Sequence, residues 1–185
     1  MAVADLADDG DPPVSTVLVT HGTGERAVVS TNAVGRGVAF PAPEILAGAG
    51  VLLVDGHLLA AQAALARSAR SRGTTVVLDG GSWKDGLGDL LPYVDLAVLS
   101  ADFVPPWVGA GPGDAGLLTA VTRRGPRLVA RSHGAGPVSV LHDGDLLELP
   151  GAGRRRRGHP RRGRRAARCD GPPTRPPRRS GRSAP

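Results

Sequence analysis

The chain holds a single cysteine, Cys169, among its 185 residues. One thiol excludes an intrachain disulfide and supplies no metal-ligand spacing. Aromatic residues are also scarce, with two Trp, two Phe and one Tyr. A core made from this sequence must rest on Ala, Val and Leu, and Trp83 and Trp107 read as packing residues. No uninterrupted apolar stretch reaches the length needed to span a bilayer, so no membrane partner is expected. The N-terminus is acidic and lacks a basic region ahead of an apolar run, unlike a secretion signal, and the expected compartment is the cytoplasm. His21, His133 and His142 are scattered without ligand spacing, so no metal site is expected. The glycine-rich stretch from Gly109 to Gly116 lacks the Gly-Lys-Ser/Thr ending of a P-loop. A Gly-x-Ser-x-Gly elbow is missing as well, which removes the simplest hydrolase reading.

Charge is present but segregated. Through Pro150 there are 10 Arg and Lys against 16 Asp and Glu, a balance of −6. From Gly151 onward 13 Arg stand against the single acid Asp170, a balance of +12. The formal +6 therefore belongs to the tail, whereas a basic nucleic-acid binder more often spreads Lys and Arg over a folded face.

The body divides into strand and helix signals. Residues 1–13 form a polar lead-in. Val14 to His21 and Arg26 to Ser30 are β-branched, flank a Gly-rich turn, and predict a hairpin. Pro41 to Leu46 predicts a short helix with Pro43 in its first turn. The apolar run Val51 to Asp55 predicts a strand buried on both faces, followed by an Ala- and Leu-rich helix over Leu58 to Ser71 that stops at Gly73. Strands are expected at Thr74 to Leu78, Leu96 to Leu99 and Arg127 to Ala130, and helices at Leu87 to Leu91 and Asp114 to Arg123. Val138 to Leu141 and Leu146 to Leu149 flank Asp143-Gly144, a hairpin signal. The alternation predicts an α/β domain over residues 14–150, with a mostly parallel sheet, helices on both faces and an antiparallel edge. In residues 151–185 Arg, Gly and Pro dominate and apolar periodicity vanishes, which predicts a disordered tail.

Several phrases, in order, resemble the PfkB-type (ribokinase-like) carbohydrate kinases. They are Val51-Leu52-Leu53-Val54-Asp55-Gly56-His57, Val76-Val77-Leu78-Asp79-Gly80-Gly81-Ser82-Trp83-Lys84, the run Leu90 to Ser100, and the strand and turn from Leu128 to Val138. Val14 to Asn32 is similar to the hairpin that precedes this region in the family. The resemblance implies a partial ribokinase-like α/β fold and transfer of the γ-phosphoryl of ATP to a sugar hydroxyl, with Mg²⁺ carried mainly on the nucleotide phosphates. It also implies nucleotide contacts at Asp79, Lys84, Ser132 and Gly134, and substrate contacts at Asn32 and Asp55. Asp55 and His57 serve equally well as turn and capping residues, and Asp79 and Lys84 as a strand-end acid and a solvated amine.

The departures are as informative as the matches. Ser100-Ala101-Asp102-Phe103 stands where the family has Asn-x-x-Glu, and Pro137 stands at the last glycine of Thr-x-Gly-x-x-Gly. The family's N-terminal third is missing, and so is Gly-Ala-Gly-Asp, the loop that supplies an anion hole and a base. No catalytic residue is assigned, and the chain as written is expected to be inactive. Gly151 onward, however, can be encoded so that a reading one base over gives Val-Pro-Asp-Val-Asp-Val-Val-Asp-Thr-Leu-Gly-Ala-Gly-Asp-Val-Leu-His-Gly-Ala-Met-Ala. Arg and Gly codons shifted by one base freely offer Gly, Ala, Val and Asp. The codon spanning His159-Pro160 is tighter, because only Thr or Ile is allowed there. The tail is read as a frame-slipped catalytic region, natural or from sequencing. The alternative reading is a non-catalytic domain whose basic tail binds nucleic acid nonspecifically.

Overall fold

The computed structural model describes residues 11–31, 38–109, 111 and 113–151. All of them fall in one unit, Met1–Arg154; the remainder, Arg155–Pro185, lies outside the described residues together with the expectation of a disordered tail. Among the described residues there are two sheets. Strands β1 (Ser15–Val19) and β2 (Arg26–Ser30) pair antiparallel as a separate hairpin. Six further strands form the main sheet in simple sequence order: β3 (Val51–Val54), β4 (Thr75–Gly80), β5 (Leu96–Leu99), β6 (Leu128–Ser132), β7 (Val138–His142) and β8 (Asp145–Leu149). β3 to β6 are parallel, and β7 and β8 are the antiparallel edge.

Local chemistry sets the boundaries. A 3-10 turn at Pro43–Leu46 begins on Pro43, whose fixed φ suits a first helical position. Helix α1 (Leu59–Ser71) ends where Gly73 takes φ +74 and Thr74 N–H reaches back to Ala69 O at 2.9 Å, a glycine stop. Helix α2 (Leu87–Leu90) runs into a 3-10 turn at Leu91–Tyr93, with Pro92 barring further helix. Helix α3 (Gly113–Thr122) feeds β6 through Gly125. Asp143 and Gly144 both take positive φ, the backbone of a two-residue hairpin turn that suits the sheet's twist.

The core is one-sided, which corrects two sequence expectations. Its strand members Val54, Val76, Leu78, Ala97, Leu99, Val129 and Leu141 share one face by register, and they pack against Ala66, Ala69, Leu87, Leu90, Leu117, Leu118 and Val121 of the helices. Parallel strands taken in consecutive order, joined by crossovers of one hand, put every helix on the same face. The opposite face carries Val51, Leu53, Val98, Leu147 and Leu149, all exposed, with Leu53 at 66%. β3 is thus buried on one face only, and helices do not cover both faces among the described residues. None of these helices is long and apolar enough to cross a membrane.

Candidate functional site

The two edges of the parallel sheet are stitched differently. At the N-terminal edge Asp95 makes the links: its Oδ2 accepts from Val76 N–H at 2.8 Å, and its carbonyl accepts from Arg127 N–H at 3.0 Å. That arrangement joins β4, β5 and β6 through one residue, by its carboxylate on one side and its backbone carbonyl on the other. The C-terminal edge, where ligands of open α/β sheets collect, is stitched by side chains. Ser100 Oγ donates to Gly81 O, and its own carbonyl accepts from Arg131 Nε at 3.4 Å. Arg131 Nη2 donates to Ala101 O at 2.5 Å, and Nη1 to Asp114 Oδ1 at 2.9 Å. Asp114 Oδ2 then accepts from His133 Nε2 at 2.6 Å and from Ser139 Oγ at 2.5 Å. One continuous chain of hydrogen bonds therefore crosses the edge from the end of β4 to β7.

Asp114 is the node of this chain, at the first turn of α3, where a carboxylate also suits the helix dipole. Burial works against its charge, yet the Ser139 hydroxyl, the His133 imidazole and the Arg131 guanidinium hold its pKa below the ordinary aspartate value. The turn between β6 and β7 hangs from this node. Gly136 N–H closes it on His133 O at 2.9 Å, and Gly134 takes φ +61, which favours glycine. Beside it, β8 returns to the same edge, and Gly151 lies so near that a Cβ on it would sit 2.0 Å from Gly136 O.

A second feature opens by the end of β3. A cleft of 490 Å³ is lined by Pro13, Ser15, Val28, Ser30, Asp55, His57 and Leu58, so it lies between the hairpin and the β3–α1 turn. Asp55 Oδ1 accepts from Gln62 Nε2 at 2.7 Å and from His57 N–H at 2.9 Å, while Gln62 Oε1 accepts from Gly56 N–H at 3.0 Å. Burial opposes the charge here too, but these donors and the nearby His57 keep the Asp55 pKa below its ordinary value. Leu58 adopts left-handed backbone at φ 49, an unusual conformation for a branched residue, and it faces the same cleft.

Five of the sequence-predicted residues, Asp55, Asp79, Lys84, Ser132 and Gly134, lie at or just beyond the C-terminal ends of strands. Asp55 follows β3 and lines the cleft, and Asp79 sits near the end of β4 on the open face, opposite Val98. Lys84 lies half-buried on the loop after β4. Ser132 ends β6 with its Oγ on Leu99 O at 3.4 Å, and Gly134 is in the exposed turn beyond. Asn32 lies outside the described residues. Asp114, Arg131 and Ser139 were not singled out by sequence. Asp114 carried the local signal of an acid opening a helix, but its partners are 17 to 25 residues away and no spacing rule joins them.

No family model matches the chain, and no curated protein matches it. Solved structures do. The chain superimposes on adenosine kinase from Anopheles gambiae with a TM-score of 0.58 at 16% identity, covering 75% of this chain and 49% of that one. The fold is ribokinase-like. Fructokinase from Xylella fastidiosa with bound ATP gives 0.56 at 17% identity, covering 80% and 50%. Arabidopsis thaliana ribokinase, complexed with ribose and ATP, gives 0.54 at 14%, covering 74% and 47%. The ribokinase-like portion thus spans about half the length of the solved chains it matches.

Proposed function

We propose that the chain is the middle portion of an ATP-dependent carbohydrate kinase whose catalytic loop is encoded one base out of frame from Gly151 onward. The observation that carries this reading is the course of β8. It runs parallel to β6, ends on the ligand-collecting edge, and brings Gly151 against the Ala135–Gly136 turn. A Gly-Ala-Gly-Asp phrase in the shifted frame would follow soon after the chain reaches that edge. Its backbone N–H groups would hold the transferred phosphoryl, and its carboxylate would accept the proton of the sugar hydroxyl.

The nucleotide is assigned to the Ser132–Gly134 turn with Asp79 and Lys84, and the sugar to the cleft at Asp55, with Asn32 close by in sequence to its lining residue Ser30. Mg²⁺ would be carried on the nucleotide phosphates. Among the described residues no group of three or more His, Cys, Asp or Glu is arranged to hold an ion. As written, the chain lacks the base and the anion hole, and it transfers no phosphoryl group.

The encoding DNA tests the reading. Read one base over from Gly151, it should give the Asp-Thr-x-Gly-Ala-Gly-Asp phrase, and any other translation sinks the frame assignment. A gene repaired in frame and extended through its upstream sequence should then release ADP in the presence of a sugar. The 13 Arg from Gly151 onward leave a second reading for the chain as it stands, in which the tail binds RNA electrostatically and nonspecifically. Tail-dependent binding that survives physiological salt, lost on removal of residues 151–185, would support it over the first.

A further inference from the structure

We infer that Asp114 is the positioning residue of the nucleotide turn. It acts through His133 and ties that turn to the Ser100–Ala101 segment at the end of β5. The inference rests on the nucleotide reading above, but the geometry that carries it does not. A single carboxylate receives three side chains from two strands and the turn: Arg131 on β6 at one oxygen, His133 in the turn and Ser139 on β7 at the other. The side chains of Arg131 and Asp114 are mostly shielded, at 13% and 25% exposure, so solvent competes weakly for these bonds.

Each partner reports to a different part of the edge. Arg131 directs its remaining donors to the carbonyls of Ser100 and Ala101, which fixes the end of β5. His133 is the first residue of the turn, and its carbonyl accepts the N–H of Gly136 that closes it. Ser139 holds the descending strand beside the turn. Without the carboxylate, a five-residue loop containing Gly134 and Gly136 keeps one backbone bond and little else to select its conformation. A turn meant to present backbone N–H groups to phosphate needs that selection, because misplaced donors lose the benefit of preorganisation.

The isosteric change Asp114→Asn is discriminating. The amide oxygen can still accept from Arg131, but the NH₂ then faces His133 and Ser139, which must switch from donating to accepting, so the charge-assisted bonds on the turn side are lost. The experiment uses the full chain and compares wild type, Asp114→Asn, His133→Gln and the double variant. Two readouts are taken: ATP affinity by calorimetry, and amide exchange at Gly134 to Gly136 by mass spectrometry or NMR.

Exchange in the turn should quicken about tenfold in Asp114→Asn, as expected for losing one charge-assisted bond, while the β3 and α1 amides stay unchanged. ATP affinity should fall by a similar factor, and the double variant should be no weaker than Asp114→Asn, since both changes cut the same link. Additive losses, or a turn whose exchange does not change, overturn the positioning role. If wild type fails to bind ATP at millimolar concentration, the nucleotide reading fails by itself. Turn exchange then decides the role of Asp114 alone, with local quickening supporting it and no change refuting it.

Discussion

Replacing Gly125 by alanine separates two costs that the fold imposes on one residue. Gly125 sits between α3 and β6 at φ +148, and a Cβ built on it would lie 2.1 Å from Leu91 O and 2.9 Å from Pro92 Cα. Those are backbone atoms of the 3-10 turn, which cannot swing aside as a side chain would. To reach an ordinary 3.4 Å contact, one backbone must move by about 1.3 Å, and overpacking of this kind costs about 1–3 kcal/mol. The backbone conformation adds about 1–3 kcal/mol for a residue with a side chain.

Gly73 is the control, because it takes φ +74 with nothing within 4 Å of the place a methyl group would occupy; Gly73→Ala therefore meets the conformational cost alone, about 1–2 kcal/mol. With a urea m-value of about 2 kcal/mol/M for a small domain, Gly125→Ala should lower the unfolding midpoint by about 1–3 M and Gly73→Ala by about 0.5–1 M. Midpoints would be measured by circular dichroism at matched m. The reasoning is refuted if Gly125→Ala is no more destabilising than Gly73→Ala.

Three further outcomes are expected. Asp114 has a depressed pKa, so its contribution to stability is complete above roughly pH 3.9, an aspartate's unfolded value, and is lost as pH falls through the lower folded value. The stability gap between wild type and Asp114→Asn should accordingly close in acid, and a gap that stays constant from neutral pH to about pH 2 would contradict this. Phe103 is fully buried and meets Trp83 edge-on with ring centroids 5.7 Å apart; Phe103→Ala should cost about 3–5 kcal/mol in chemical denaturation, and a loss below about 1 kcal/mol would mean the ring is not packed as described. Leu53→Lys on the open face should stay within about 0.5 kcal/mol of wild type, whereas Leu78→Lys, on the helical face, should unfold the domain. Equal damage from both would reverse the assignment of faces.

Most of the fold was legible in the sequence because it is built from local signals. Gly73 stops α1, Asp143-Gly144 turns the last hairpin, and short Val- and Leu-rich runs mark the strands. Burial was less legible. Val51-Leu52-Leu53-Val54 is apolar at every position, which reads as a strand covered on both sides, but only the Val54 face meets a helix among the described residues. Periodicity reports what environment a strand suits and says nothing about which segment supplies it. The site divides in the same way. The placement of Asp55, Asp79 and Ser132 at strand ends was legible because such ends in an α/β alternation fall on one edge. Asp114 with His133 was not, since their pairing depends on tertiary geometry across 19 residues, and an isolated histidine carries no spacing to interpret.

The one-sided cover also changes what a melting temperature of this domain would mean. A sheet with an apolar face turned to water offers a binding surface that exists only while the chain is folded. Any molecule that shelters Leu53, Val98 and Leu147 therefore draws the equilibrium toward the native state by mass action, in proportion to the logarithm of its concentration. Stability here is a property shared between the chain and its surroundings, and the measured value should rise with the concentration of any molecule that covers this face.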